Sequence, residues 1–165
     1  FYTIPLGPQL QALWRTAEGA YQMEYRSRKT YEVFQQLARN GGVPDAYEDI
    51  FDGMEYLDTV RAGNITEYDT IVAFSLDGTQ LYCNQESDCW FFMWMVFNLS
   101  PDLRYKKRYI LPAGFVPGPN KPKVVETFLL PSFRHLSALQ RSSAKVYHGC
   151  NGAGQLRNRV VARYD

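Results

Sequence analysis

Histidine is scarce in this chain of 165 residues, with His135 and His148 the only two. Neither sits in a Ser/His/Asp or Cys/His arrangement, so a nucleophilic triad has no support. Cysteine is nearly as rare: Cys83, Cys89 and Cys150 are an odd count without a CxxC pair. Such a set builds no disulfide framework and reads as a reduced, intracellular compartment. Cys83, Cys89, His148 and Cys150 could be four zinc ligands, although their spacing matches zinc knuckles poorly. The longest apolar run, Trp90 to Phe97 (WFFMWMVF), is far short of the roughly 20 residues that cross a bilayer, which argues against a membrane partner. No basic-then-apolar leader opens the chain, and no glycine motif joins a strand to a helix as a phosphate cradle needs. The 12 glycines and 9 prolines are too few and too aperiodic for a collagen-like or low-complexity segment. With Phe1 in place of an initiator Met, the chain reads as a piece of a longer polypeptide.

What remains is globular material rich in rings. Hydrophobic residues make up 45% and aromatic residues 15%, enough for one packed domain, alone or with a helical appendage. Net charge is only +1, but it is unevenly spread. Residues 44–70 carry eight acids (Asp45, Glu48, Asp49, Asp52, Glu55, Asp58, Glu67, Asp69) against Arg61, a net −7. Residues 101–123 carry Arg104, Lys106, Lys107, Arg108, Lys121 and Lys123 against Asp102, a net +5, and residues 141–165 come to +4. Two readings stand: solvated surface, or a basic strip for a phosphate backbone with Tyr105, Tyr109 and Tyr147 interleaved.

Periodicity divides the chain near residue 65. Residues 8–28 repeat apolar side chains at helical spacing (Leu10, Leu13, Trp14, Ala17, Tyr21, Tyr25). Residues 30–40 predict a second helix, with Thr30 as N-cap and Asn40-Gly41-Gly42 as its close. The acidic stretch predicts a short helix plus loop anchored by Tyr47, Ile50, Phe51, Met54 and Tyr56. Then the period changes. Ile71–Leu76 predicts a buried strand stopping at Asp77-Gly78, followed by strands over Cys89–Leu99 and Arg108–Val116. Residues 123–140 predict a helix that Pro131 should kink or split, and Val160–Tyr164 a fourth strand. The expectation is α/β, in two parts: a helical lead-in with an acidic loop over 1–65, and a sheet-bearing core over 66–165.

Asp77 is the acid with the most chemistry in prospect. A carboxylate at the end of a buried strand is held rigidly yet meets solvent, and hard oxygen donors suit Mg²⁺. The alternative is an Asp-Gly hairpin turn. The rings of Trp90, Phe91, Phe92, Trp94 and Phe97 alternate poorly and have no interleaved charge, so they read most simply as core packing and not as a base-stacking platform, and His135 reads as part of a helix.

Several ordered segments resemble the transposases of CACTA (En/Spm-type) DNA transposons, especially the copies found in mushroom-forming fungi. Ile4-Pro5-Leu6 with Leu10–Trp14 and Met23-Glu24-Tyr25-Arg26 is similar to the family's 'IPL-P-LQALF … M-YR' opening. Asp49–Gly53 (DIFDG) is similar to 'DVFDG', and Ile71–Gly78 (IVAFSLDG) to 'IAL-LSTDG'. Asp88-Cys89-Trp90 with Phe97–Pro101 and Leu103–Lys107 resembles 'W … YNLPPE-RYK', and Leu111–Lys123 (LPAGFVPGPNKPK) resembles 'G-IPGPKKPK'.

The resemblance implies a cut-and-paste transposase with an RNase H-like core of three strands, a helix and a further strand, incomplete in this chain. In that family three carboxylates hold Mg²⁺ or Mn²⁺ for phosphodiester cleavage and strand transfer. Asp77 maps onto the first acid and metal ligand. Asp165 stands near the place of the second, with Tyr164 where the family has Gly, and the third lies beyond. The resemblance further implies DNA as partner through Arg104, Lys106, Lys107, Lys121 and Lys123, a nuclear location, and compatibility with a homo-oligomer. With an incomplete triad the chain alone is expected to be inactive. The competing expectation is a domesticated or relic module that binds DNA or protein without catalysis.

Overall fold

A computed structural model describes residues 1–80, 88–118, 122–142, 144–147, 155–158 and 160–163. The chain forms β1 (Tyr2–Thr3), α1 (Leu6–Trp14), α2 (Ala17–Met23) and α3 (Tyr25–Arg39), then a 3-10 turn (Ile50–Asp52) and α4 (Met54–Arg61). There follow β2 (Thr70–Gln80), β3 (Asp88–Val96), α5 (Pro101–Arg104), β4 (Leu111–Pro117), α6 (Val125–Ser142), β5 (Ala144–Tyr147), β6 (Gln155–Asn158) and β7 (Val160–Arg163). The class is mixed α/β. No helix among the described residues is long and apolar enough to cross a membrane.

The first helical stretch is three helices, not two. Thr16 breaks the pattern by capping α2, its hydroxyl accepting the Gly19 N–H at 3.0 Å. Gly19 makes the sharp turn possible, since a Cβ there would stand 2.2 Å from the Leu13 carbonyl oxygen. Thr30 is no N-cap: it lies inside α3, with its hydroxyl on the Arg26 carbonyl and the Tyr56 hydroxyl. The acidic stretch is helical as expected, but Phe51 and Tyr56 are its buried anchors, while Tyr47, Ile50 and Met54 face outward.

The main sheet has the order β1-β4-β3-β2-β7. Its first four strands are antiparallel neighbours. β7 joins the far side parallel to β2, with Thr70 opposite Val160 and Ala73 opposite Arg163. β5 and β6 form a separate antiparallel pair. β2 does not stop at Asp77-Gly78: Asp77 pairs with Phe91, Gly78 with Trp90, and the ladder continues to Gln80. Glycine here serves a ring and not a turn, because a Cβ on Gly78 would meet the Trp90 indole at 3.1 Å. α6 runs unbroken through Pro131, which is exposed, while Phe128, Leu129, Phe133, Leu136 and Leu139 on its other side pack into the core. That packing holds the helix across the missing N–H.

Two cores lie on opposite faces of the sheet, following the alternation of strand side chains. On one face Val72, Phe92, Trp94 and Val96 pack with α1, α2 and α6 through Leu6, Leu10, Trp14, Met23 and Leu136. On the other, Ile71 and Phe97 pack with α3, the 3-10 turn and α4 through Val33, Leu37, Phe51 and Leu57. Both cores therefore draw residues from before and after position 65. Trp90, Phe91 and Phe97 are only partly buried, whereas Phe92 and Trp94 are core.

Candidate active site

Asp77 stands on β2 with its side chain exposed, while Leu76, Gly78 and Trp90, which line a shallow hollow beside it, belong by strand alternation to the opposite face. Strand alternation puts Ser75 and Thr79 on the same face as Asp77. The carboxylate is thus rigidly mounted and open to solvent, as the sequence suggested, although it lies within a strand and not at its end. Among the described residues no ion pair involves Asp77. Among those residues, too, no three His, Cys, Asp or Glu side chains converge as a metal site. A lone carboxylate suits Mg²⁺ when water and substrate phosphate complete the coordination, so Asp77 can supply one hard oxygen and leaves the rest of the shell to other groups. Asp165 lies outside the described residues.

The candidate phosphate-binding residues separate into two kinds. Lys106, Lys107 and Lys123 are exposed, and Lys121 lies outside the described residues. Arg104 is a correction. It is 1% exposed and grips Asp49 with two bonds, Nη1 to Oδ1 and Nη2 to Oδ2, both 2.8 Å. Its Nε donates to the Leu99 carbonyl at 3.0 Å, and the guanidinium plane sits 4.7 Å from the Phe97 ring centroid. Buried and donating to protein oxygens from all three nitrogens, Arg104 presents no face to a phosphate at the surface. Tyr109 is likewise buried, its hydroxyl donating to Gln22 at 2.8 Å, while Tyr105 stays exposed.

Three of the quoted motif segments meet at this arginine. Tyr25 reaches Asp49 at 3.3 Å, and burial, then the charge and hydrogen bond of Asp49, push its phenol up to about 12. Arg26, also 1% exposed, donates to the Tyr56 hydroxyl and to the carbonyls of Thr66, Glu67 and Asp69. Asp52 accepts the Glu48 and Asp49 N–H groups and faces Lys29 at 3.8 Å. Asn98 holds the entry to β2, accepting from the Ile71 N–H and donating to the Asp69 carbonyl. The 'MEYR', 'DIFDG' and 'FNLSP' segments therefore fasten α3 and the acidic stretch to the start of the sheet. They brace the start of the strand that carries Asp77, several residues before it. Sequence reading missed this fastening because its partners are far apart along the chain.

The other candidates resolve simply. His135 accepts the Gly7 N–H through Nε2 at 3.1 Å, tying α6 to the first turn of α1. Cys89 is buried and unbridged; Cys83, His148 and Cys150 lie outside the described residues, so the four-ligand zinc grouping does too. No family model matches the chain, and no significant match to it was found among curated proteins or solved structures.

Proposed function

We propose that this chain carries the opening part of an RNase H-like core belonging to a DNA transposase of the CACTA kind, with Asp77 as its first metal-binding acid. The observation that carries the reading is the path of the sheet. Three antiparallel strands, β2, β3 and β4, are followed by α6, and the chain then returns as β7 alongside β2 and parallel to it. That register makes β7 advance toward the end of β2 that bears Asp77. A second acid delivered there would share a metal with Asp77, and phosphoryl-transfer enzymes use such pairing to activate the attacking oxygen and stabilise the leaving one. The exposed Lys106, Lys107 and Lys123 supply phosphate contacts in this reading, and Arg104 does not. Nuclear DNA is then the substrate.

The test is cleavage of supercoiled and element-end DNA in Mg²⁺ by the protein expressed together with the coding sequence downstream of Asp165. Cleavage that falls by about a hundredfold or more in Asp77→Asn is the expected result. Equal cleavage by the Asp77→Asn protein, or a downstream sequence that encodes no further acids, sinks the reading. The 165-residue chain alone is expected to leave DNA intact, because the reading requires three acids to hold two ions and the chain offers at most Asp77 and Asp165 for them.

A further inference from the structure

Among the described residues, helices cover the face of the sheet that bears Asp77 only near the start of β2, although Cys89, opposite Thr79 on this face, is 3% exposed. Beyond Ile71 and Phe97, no helix among the described residues contributes to a core there. One cross-strand row crosses this part of the face: Tyr2 on β1 is opposite Phe115 on β4, Phe115 is opposite Phe91 on β3, and Phe91 is opposite Asp77 on β2. Tyr2 and Phe115 are stacked, centroids 4.7 Å apart and planes 22° apart, and Phe115 and Phe91 lie 6.3 Å apart. Tyr2 is 63% exposed, and Phe91 and Phe115 are partly buried. Four adjacent strands span about 15 Å. The row is thus a track of rings that ends on a carboxylate.

We infer that this row binds unpaired bases of a DNA strand, laying them on Tyr2, Phe115 and Phe91 so that the backbone reaches Asp77. The inference rests on the reading of Asp77 as a metal-binding acid. Two features select this occupant. The β2 side of the face is polar (Ser75, Asp77, Thr79), so an apolar helix laid across it would bury a carboxylate and hydroxyls without partners. A nucleotide has the matching asymmetry: its base stacks on rings, and its sugar and phosphate meet hydroxyls and a cation. Bases in a duplex already stack on each other, so exposed rings favour strands whose bases are free.

The experiment measures anisotropy of a labelled oligothymidylate of about 12 nucleotides, and of a duplex of equal length, with the full chain in EDTA and in Ca²⁺. The expected result is tighter binding of the single strand, weakened about tenfold or more by Tyr2→Ala and by Phe115→Leu. Tyr2→Phe, which keeps the ring, and Tyr31→Ala, an exposed tyrosine on α3, should bind like the parent. Ca²⁺ should tighten binding further, and Asp77→Asn should remove only that gain. Equal binding of duplex and single strand, no binding, or an unaltered Tyr2→Ala protein overturns the inference. Tyr2 sits at an exposed sheet edge, so its variant stays informative even where Phe115→Leu fails to fold. Ring dependence with a Ca²⁺ gain indifferent to Asp77→Asn would keep the base platform and discard the metal-binding role of Asp77.

Discussion

Arg104 and Asp49, 55 residues apart in sequence, face each other as a fork on a fork inside the protein. The pair joins the end of β3, through the turn into α5, to the cap of the 3-10 turn. Bidentate geometry and the Phe97 ring below make lysine a poor substitute.

Breaking one side of this pair leaves an unpaired charge almost wholly buried. Asp49→Ala or Arg104→Ala should therefore cost about 3–5 kcal/mol in urea unfolding, and Arg104→Lys a substantial part of that. Lys106→Ala and Lys107→Ala, at exposed positions, should stay within about 0.5 kcal/mol of the parent. An Arg104→Ala protein of parental stability would show that the pair fastens nothing.

Tyr25 gives the pair a pH signature. Its folded pKa is raised from 10.0 to about 12, so the folded state keeps a proton that the unfolded chain loses first. The stabilisation is complete below pH 10 and falls as pH rises from about 10 to about 12, because there the unfolded state binds fewer protons. Unfolding curves of the parent and Tyr25→Phe should diverge across that window. Parallel curves would refute the assignment.

Gly19 and Gly78 make a further pair of predictions. Gly19→Ala drives a methyl to 2.2 Å from backbone oxygen and should destabilise by about 1–3 kcal/mol in thermal or urea melts. Gly78→Ala meets the Trp90 ring at 3.1 Å, so a smaller loss with a shifted tryptophan emission is expected. A stabilised Gly19→Ala protein would contradict the described turn between α1 and α2.

His135→Ala removes the acceptor for the Gly7 N–H and should cost about 1 kcal/mol. Hydrogen exchange should report it as faster exchange confined to the first turn of α1. Unchanged exchange there would mean that the bond contributes nothing.

Long periodic signals were legible in the sequence, and long-range pairings were not. The apolar run of β2 and the ring-bearing face of α6 announce themselves because burial imposes a period on neighbours. Arg104 looked like part of a basic strip because a local charge count cannot see a carboxylate on a distant turn. Thr30 looked like a cap because its true partner, the Tyr56 hydroxyl, belongs to another helix. Asp77-Gly78 looked like a hairpin turn until Trp90 was known to lie over the glycine. β1 is two residues long and exists only because Gly114 lets it approach, a Cβ there being 2.5 Å from the Tyr2 carbonyl oxygen. No window on the sequence holds that information. The face of the candidate site, Asp77 with Ser75 and Thr79, was legible as one acid; its row of rings needed the strand order.

Ile71 and Val72 are consecutive residues that belong to different cores, one on each side of the sheet. The helices before residue 65 are therefore walls of the sheet and not a preface to it. A gene rearrangement that moved residues 66–165 into another protein would carry off strands whose Trp94 and Phe92 kept α6 but had lost α1 and α2, leaving an exposed apolar patch that favours aggregation. This sheet travels with its first helices or not at all.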